Sequence, residues 1–320
     1  MAKKLPKYIQ HKHGSYYYVR RISGNPPKWI KLGKTEADMY RKLADIKENE
    51  ANKGTMADYF DRYKKEIIPT KAERTQVNNK AEIKNLRKVF GHMLPHQITP
   101  VFIYGYMDKR GQKSKVSANL EKALLSNVFS YLIRWGIVGT NPCVGVKAFT
   151  IKPRNRYVTD KEYKAVYDYS PPLIQCAMEI AVITGMRQGD ILNLKLLDIQ
   201  EDGIHLTANK TGKKQIINWT TDLKKVVKEC KKLSKVSSHT HLICNQKGKA
   251  YTSSGFKTMW QKAMNSAIEK KVIHERFTFR DLRPKAASDH TDGTKLLDHS
   301  DPKTTKKYYL RKPAKVTPIR

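Results

Sequence analysis

Nowhere do about eighteen apolar residues follow one another, so the sequence lacks a helix able to cross a bilayer. Cysteine is scarce: Cys143, Cys176, Cys230 and Cys244 stand far apart with no C-x-x-C pair. That spacing suits neither a zinc site nor a disulfide framework and predicts a reducing cytoplasm. Residues 1–7 are basic but lack the apolar stretch of a secretory signal. The pairs His11/His13 and His239/His241 have no cysteine partners, and neither metal nor other cofactor is expected. Internal repeats and long low-complexity tracts are missing too. The most consequential shortage is acid. Only 29 Asp and Glu face 63 Lys and Arg, for a net charge of +34.

The basic excess is spread rather than confined to a tail. Residues 1–50 hold 12 basic against 5 acidic side chains, residues 51–150 hold 17 against 7, and residues 151–320 hold 34 against 17. Every segment is cationic, as if each lies against one polyanion. Nucleic acid fits best, because neutralising phosphates releases counterions and drives association. Charge alone does not separate DNA from RNA.

Three segments follow from the patterning. In residues 1–50, Tyr16-Tyr17-Tyr18-Val19-Arg20-Arg21 and Trp29-Ile30-Lys31-Leu32 read as strands, with a first strand near Tyr8-Ile9-Gln10. Gly14-Ser15 and Gly24-Asn25-Pro26-Pro27 mark the turns. Thr35 and Asp38 form a capping box for a helix with Met39, Leu43 and Ile46 on one face. After a linker at Asn52-Lys53-Gly54, residues 55–150 read as four helices. Tyr59, Phe60, Tyr63 and Ile67 lie on the first, and Ile83, Leu86 and Phe90 on the second. Thr99-Pro100 opens the third. The fourth carries a stripe of Leu120, Leu124, Val128 and Leu132. From residue 155, Thr159-Asp160-Lys161-Glu162 is a capping box, residues 173–184 form an apolar helix, and residues 199–219 a hairpin. Helices follow at 222–232, 252–270, 281–288 and 304–309.

Four places carry candidate chemistry. In Thr184-Gly185-Met186-Arg187-Gln188-Gly189-Asp190, an apolar helix ends at Gly185 and Arg187 stands at the start of the next, where an anion is favoured. Asp190, one turn on, is expected to orient Arg187. Asn209-Lys210-Thr211-Gly212-Lys213 sits at a hairpin tip. In Phe279-Arg280-Asp281-Leu282-Arg283, Arg280 and Arg283 share a helix face and can address one phosphate. Leu296-Leu297-Asp298-His299 is followed nine residues later by Tyr308-Tyr309. Each piece alone is more often structural than functional; the set in this order is not.

An Arg after Thr-Gly, a Lys in a β-hairpin, an Arg in D-L-R, a His after L-L-x and a Tyr nine residues beyond it resemble the signature of the tyrosine recombinases, the phage integrase family. The resemblance covers most of the chain. It implies an α+β multidomain fold: an arm-type DNA-binding domain at 1–50, with a three-stranded sheet and a helix; a SAM-like helical core-binding domain at 55–150; and a mixed α/β catalytic domain at 155–320. It also implies a site-specific recombinase that integrates and excises a mobile element through a 3′-phosphotyrosyl intermediate. Arg187 and Arg283 would clamp the scissile phosphate, Arg280 would add charge, His299 would hydrogen-bond the phosphate, Lys210 would protonate the leaving 5′-oxygen, and Tyr308 would attack. Helical neighbours point about 100° apart, so only one of Tyr308 and Tyr309 can face the arginines, and the nine-residue step selects Tyr308. The implied partners are double-stranded DNA at core and arm sites, three further copies in a homotetramer, a host DNA-bending protein and an excisionase. The implied location is the nucleoid in the host cytoplasm.

Two positions depart from the family pattern. Arg280 stands where His is common, and arginine cannot act as a base. Asp298 replaces a common Gly, and the stretch from Arg283 to His299 is short. A type IB topoisomerase and a DNA-binding remnant remain as alternatives, to be separated from recombination by adduct and relaxation assays. The tail, residues 310–320, reads either as a segment packed on a neighbouring protomer or as a loose end.

Overall fold

The structure is a computed structural model that describes residues 5–20, 26–51, 54–209, 212–233, 240–298 and 301–312. Arg21, residues 24–25 of the second turn, residues 52–53 of the linker, Lys210, Thr211, His239, His299 and residues 313–320 lie outside the described residues. The chain divides into two compact units, Met1–Lys152 and Pro153–Arg320.

In the first unit, β1 (Ile9–Lys12), β2 (Ser15–Arg20) and β3 (Lys28–Gly33) form an antiparallel sheet in chain order. His13 and Gly14 turn the β1–β2 hairpin, both at positive φ, the pairing that suits the right-handed twist of two strands. Helix α1 (Glu36–Ala51) starts at Thr35, whose hydroxyl donates to Asp38 Oδ2 at 2.7 Å and accepts the Asp38 N–H at 3.2 Å. Half of the expected capping box is present: the hydroxyl caps the Asp38 N–H, while the Asp38 carboxylate returns to the hydroxyl rather than to the Thr35 N–H. Met39 and Leu43 pack on Ile9 and Leu32, with Ile46, Tyr16 and Tyr18 at the margin. Tyr17 and the exposed Trp29 meet edge to face at 5.9 Å, and Lys12 Nζ stands 5.5 Å from the Trp29 ring centroid.

Helices α2 (Met56–Glu66), α3 (Glu73–Phe90) and α4 (Pro100–Arg134) share a second core around Phe60, Tyr63, Ile83, Phe90, Val128 and Phe129. Non-helical backbone at Ser114 kinks α4, so the two helices expected there run as one broken rod. Its second half departs from the expected stripe. Leu124, Val128 and Leu132 are buried, but Leu120 is 54% exposed and Glu121 takes the inward place at 2%. Glu121 is held there by Tyr106 Oη at 2.7 Å, Arg110 Nε at 2.8 Å and Asn85 Nδ2 at 2.8 Å. Burial alone raises its carboxyl pKa; the bonds from Arg110, Tyr106 and Asn85 outweigh that and leave it below the usual carboxylate value. A depressed folded-state pKa stabilises fully above the unfolded value of about 4.3 and is lost as pH falls through the depressed one. Glu121→Gln is therefore expected to lower stability at pH 7 by about 3 kcal/mol, the cost of breaking a buried ion pair from one side. The gap in melting temperature from wild type should narrow below about pH 4; a gap constant with pH would contradict this.

The second unit is built around α6 (Pro172–Thr184), which packs against α8 (Thr221–Leu233) and α10 (Leu282–Asp289). Its entry helix α5 (Asp160–Asp168) carries the expected capping box: Glu162 N donates to Thr159 Oγ1 at 3.3 Å, and Thr159 N to Glu162 Oε2 at 2.9 Å. Helix α7 (Gln188–Leu192) follows α6 after a sharp turn. Strands β4 (Gly203–Thr207) and β5 (Lys214–Asn218) pair antiparallel, Thr207 opposite Lys214, and the Ala208 N–H donates to the Lys213 carbonyl at 2.9 Å beyond them. Helices α9 (Ser253–Glu269), α11 (Gly293–Leu297) and α12 (Pro302–Tyr308) complete the unit. Ile180, Leu223, Phe256 and Leu282 lie in one shared core. The whole is α+β, as expected, and no described helix is long and apolar enough to cross a membrane.

Candidate active site

Gly185 ends α6 at φ +65, a left-handed conformation that glycine adopts without cost. A Cβ there would come within 2.9 Å of Leu297 Cδ2, so both backbone and space call for glycine. This turn puts Arg187 at the N-cap of α7. Asp190, 3% exposed, lies 3.9 Å from Arg187 Nη1 and accepts the Asn209 N–H at 3.0 Å. One carboxylate thus steers Arg187 and ties it to the hairpin tip. Asp190 takes the orienting place expected of it.

Arg283 occupies the first turn of α10 and is 8% exposed. Its guanidinium donates to the carbonyl of Gly185 and, at 3.2 Å, to that of Leu297. Burial and then the charge of Arg187 push the Arg283 pKa down to about 10. Two guanidiniums that repel one another mark a place where an anion is welcome. Arg280 stands exposed on the 3-10 turn Phe279–Asp281 just before α10.

The phenol that reaches these arginines belongs to Tyr309. The Arg283 guanidinium carbon lies 5.6 Å from its ring centroid. Burial raises the phenol pKa, but the influence of Arg280 and then the charges of Arg283 and Arg187 win, leaving it below the ordinary value. Tyr308 is 42% exposed, with Lys307 Nζ 5.3 Å from its ring centroid. The expectation that Tyr308 faces the arginines does not match this arrangement, and the reason is local. Helix α12 ends at Tyr308, and Tyr309 is its C-cap with non-helical backbone, so the 100° step between helical neighbours does not govern the pair.

Of the other expected residues, Lys210 and His299 lie outside the described residues, but their neighbours are placed. Lys213 Nζ pairs with Asp298 Oδ1 at 2.6 Å, and Gln215 Nε2 donates to Asp298 Oδ2 at 2.7 Å. Asp298, at φ +45, adopts the left-handed cap conformation that the common Gly would take freely. The departure thus works as a polar link between β5 and the end of α11. Sequence reasoning weighed Tyr309 only as the alternative to Tyr308, and it did not mark Asp281, Ser288 and Arg311, which hold its segment. Nor did it mark the groove of about 570 Å³ in the first unit lined by Lys64, Lys80, Lys84, Arg87 and Lys88, whose signal was the lysine-rich outer face of α3.

Residues 156–315 match the phage integrase family. The integrase of Enterobacteria phage 434 is 29% identical over 201 residues, covering 58% of this chain and 55% of that protein. The integrase of Escherichia phage lambda is 30% identical over 175 residues, covering 52% and 48%. The chain thus spans about half the length of these curated relatives. Among solved structures, a lambda integrase dimer bound to a COC′ core site has the same fold, with a TM-score of 0.70 at 22% identity over all of both chains. A lambda integrase tetramer bound to a Holliday junction gives 0.65 at 22% over 99% of each.

Proposed function

The chain belongs to the phage integrase family, and we propose that it is a site-specific DNA recombinase whose nucleophile is Tyr309. One observation carries the reading: among the described residues it is Tyr309 whose ring centroid lies 5.6 Å from the Arg283 guanidinium carbon, with the charges of Arg280, Arg283 and Arg187 bearing on its phenol. Guanidiniums are permanently charged and planar, and they donate two hydrogen bonds at once to phosphate oxygens. In the proposed cleavage, the Tyr309 oxygen bonds to phosphorus as the phosphorus–5′-oxygen bond breaks. The phenol proton leaves to water or to His299. Lys210 gives its proton to the departing 5′-oxygen, and His299 hydrogen-bonds the phosphate. Arg187 and Arg283 neutralise the pentavalent transition state, the dominant contribution in such reactions. The phosphotyrosyl bond conserves the energy of the phosphodiester, so a 5′-hydroxyl of a second strand reverses the steps.

The wider reading follows from family and charge. Double-stranded DNA is the substrate, with core sites addressed by residues 55–150 and arm sites by residues 1–50. The separate cores of these two segments support that division. The lysine-lined groove beside α3 and the sheet face bearing Lys12, Tyr17 and Trp29 are cationic surfaces suited to phosphate. Four copies would exchange strands through a Holliday junction, assisted by a host DNA-bending protein and an excisionase, in the host cytoplasm. A nicked suicide duplex spanning the end of the DNA element that carries the gene tests this. SDS-stable protein–DNA adduct is expected. Binding without adduct would point to a remnant, and adduct with plasmid relaxation but no recombinants to a topoisomerase.

The rate of adduct formation should also follow the phenol. Because Tyr309 titrates below an ordinary tyrosine, the half-maximal pH is expected below about 10. Arg280→Ala removes the principal lowering influence, so the pH–rate profile is expected to move to higher pH. An unmoved profile would sever Arg280 from the nucleophile.

A further inference from the structure

Arg311 lies two residues past the phenol, in the segment that sequence leaves as tail. Its side chain is only 11% exposed, and Nη1 donates to Asp281 Oδ1 at 2.8 Å, a carboxylate itself 3% exposed. The same nitrogen donates to the Arg156 carbonyl at 3.0 Å, and Nε to the Tyr308 carbonyl at 3.2 Å. The backbone is tied independently: Ser288 Oγ donates to the Tyr309 carbonyl at 3.0 Å and accepts the Arg311 N–H at 2.8 Å. Lys312 adds a surface pair with Asp289 at 3.0 Å.

The second end of this clamp decides its meaning. Asp281 stands in the chain between Arg280 and Arg283 and closes its own turn, accepting the Thr278 N–H and hydroxyl at 2.8 Å each. Ser288 lies on α10, the helix whose first turn carries Arg283. The peptide that carries Tyr309 is therefore bolted, on its far side, to the very turn and helix that carry the arginines. Short α12 by itself, seven residues ending at Tyr308, offers no such register.

We propose that Arg311 is a positioning residue: with Asp281 and Ser288 it fixes the Tyr309 phenol in the active site of its own chain. This rests on Tyr309 being the nucleophile. Reactions between held groups are steep in geometry, and a displacement of about 1 Å costs about 10²-fold in rate. The bonds of the clamp involve neither the Tyr309 phenol nor the side chains of Arg187 and Arg283, so its loss is expected to reach the chemical step and spare binding.

The test is single-turnover adduct formation by the full chain on a nicked suicide duplex, with DNA concentration varied. Arg311→Ala is expected to lower the saturating rate about 10²-fold, with half-saturating DNA unchanged within about twofold. Arg311→Lys should recover part of the rate, since an ammonium can still pair with Asp281 but cannot fork to the two carbonyls. A saturating rate within about twofold of wild type in Arg311→Ala overturns the proposal. So do equal losses of rate and DNA affinity, which would make the ion pair merely structural. Should Arg311→Ala not fold, Ser288→Ala removes only the backbone tie and is expected to slow the rate several-fold; an unchanged rate there overturns the proposal equally. A Tyr309→Phe protein that still forms adduct would instead refute the nucleophile on which the inference stands.

Discussion

Tyr309→Phe is expected to abolish covalent adduct on a suicide duplex while DNA affinity stays within about twofold of wild type. The substitution deletes one oxygen. It leaves the ring under Arg283 and leaves the basic surfaces that hold phosphate along the duplex, and those many contacts set affinity. Tyr308→Phe, by contrast, removes a hydroxyl from an exposed side chain and should change the adduct rate by less than about threefold. Gel separation of boiled reactions reads both. Adduct lost in Tyr308→Phe and kept in Tyr309→Phe would reverse the assignment and require the end of α12 to rewind on DNA.

Arg283→Ala is the second large effect, with adduct formation expected to fall about 10²–10³-fold, the range for loss of one preorganised donor. The structure explains why the arginine is so well prepared. Its guanidinium is already fixed by the carbonyls of Gly185 and Leu297, so nothing need reorganise when phosphate arrives. Burial and the nearby Arg187 hold its pKa down to about 10, and a phosphate between the two guanidiniums relieves that repulsion. Arg283→Lys should not restore the rate, because an ammonium is a point charge without the planar fork. DNA affinity should change little, the slope of binding against salt falling by about one contact or less. A lysine variant within tenfold of wild type would show that charge alone suffices.

The sequence was informative where chemistry repeats in short motifs. Thr184-Gly185-Met186-Arg187 foretold a helix end, a left-handed glycine and an arginine at the next N-cap, and all three are present. The hydroxyl cap at Thr35, the capping box at Thr159 and the β4–β5 pairing were legible for the same reason: a few adjacent residues decide them. Distant partnership was not. Nothing near Glu121 says that Tyr106, Arg110 and Asn85 will converge on it, so an i, i+4 count chose Leu120 for the core. Tyr309 rather than Tyr308 lies beside Arg283 because α12 ends at Tyr308, and a helix end is something periodicity assumes rather than detects. The pull of Asp281 and Ser288 on Arg311 spans up to thirty positions and leaves no local trace.

The most direct measurement is to find the atom that joins the DNA. Adduct trapped on a suicide duplex, digested with nuclease and trypsin, yields the peptide Tyr308-Tyr309-Leu310-Arg311, and fragmentation between its first two residues locates the phosphate. The account predicts the mark on Tyr309. A phosphate on Tyr308, with Tyr309 unmodified, would contradict it.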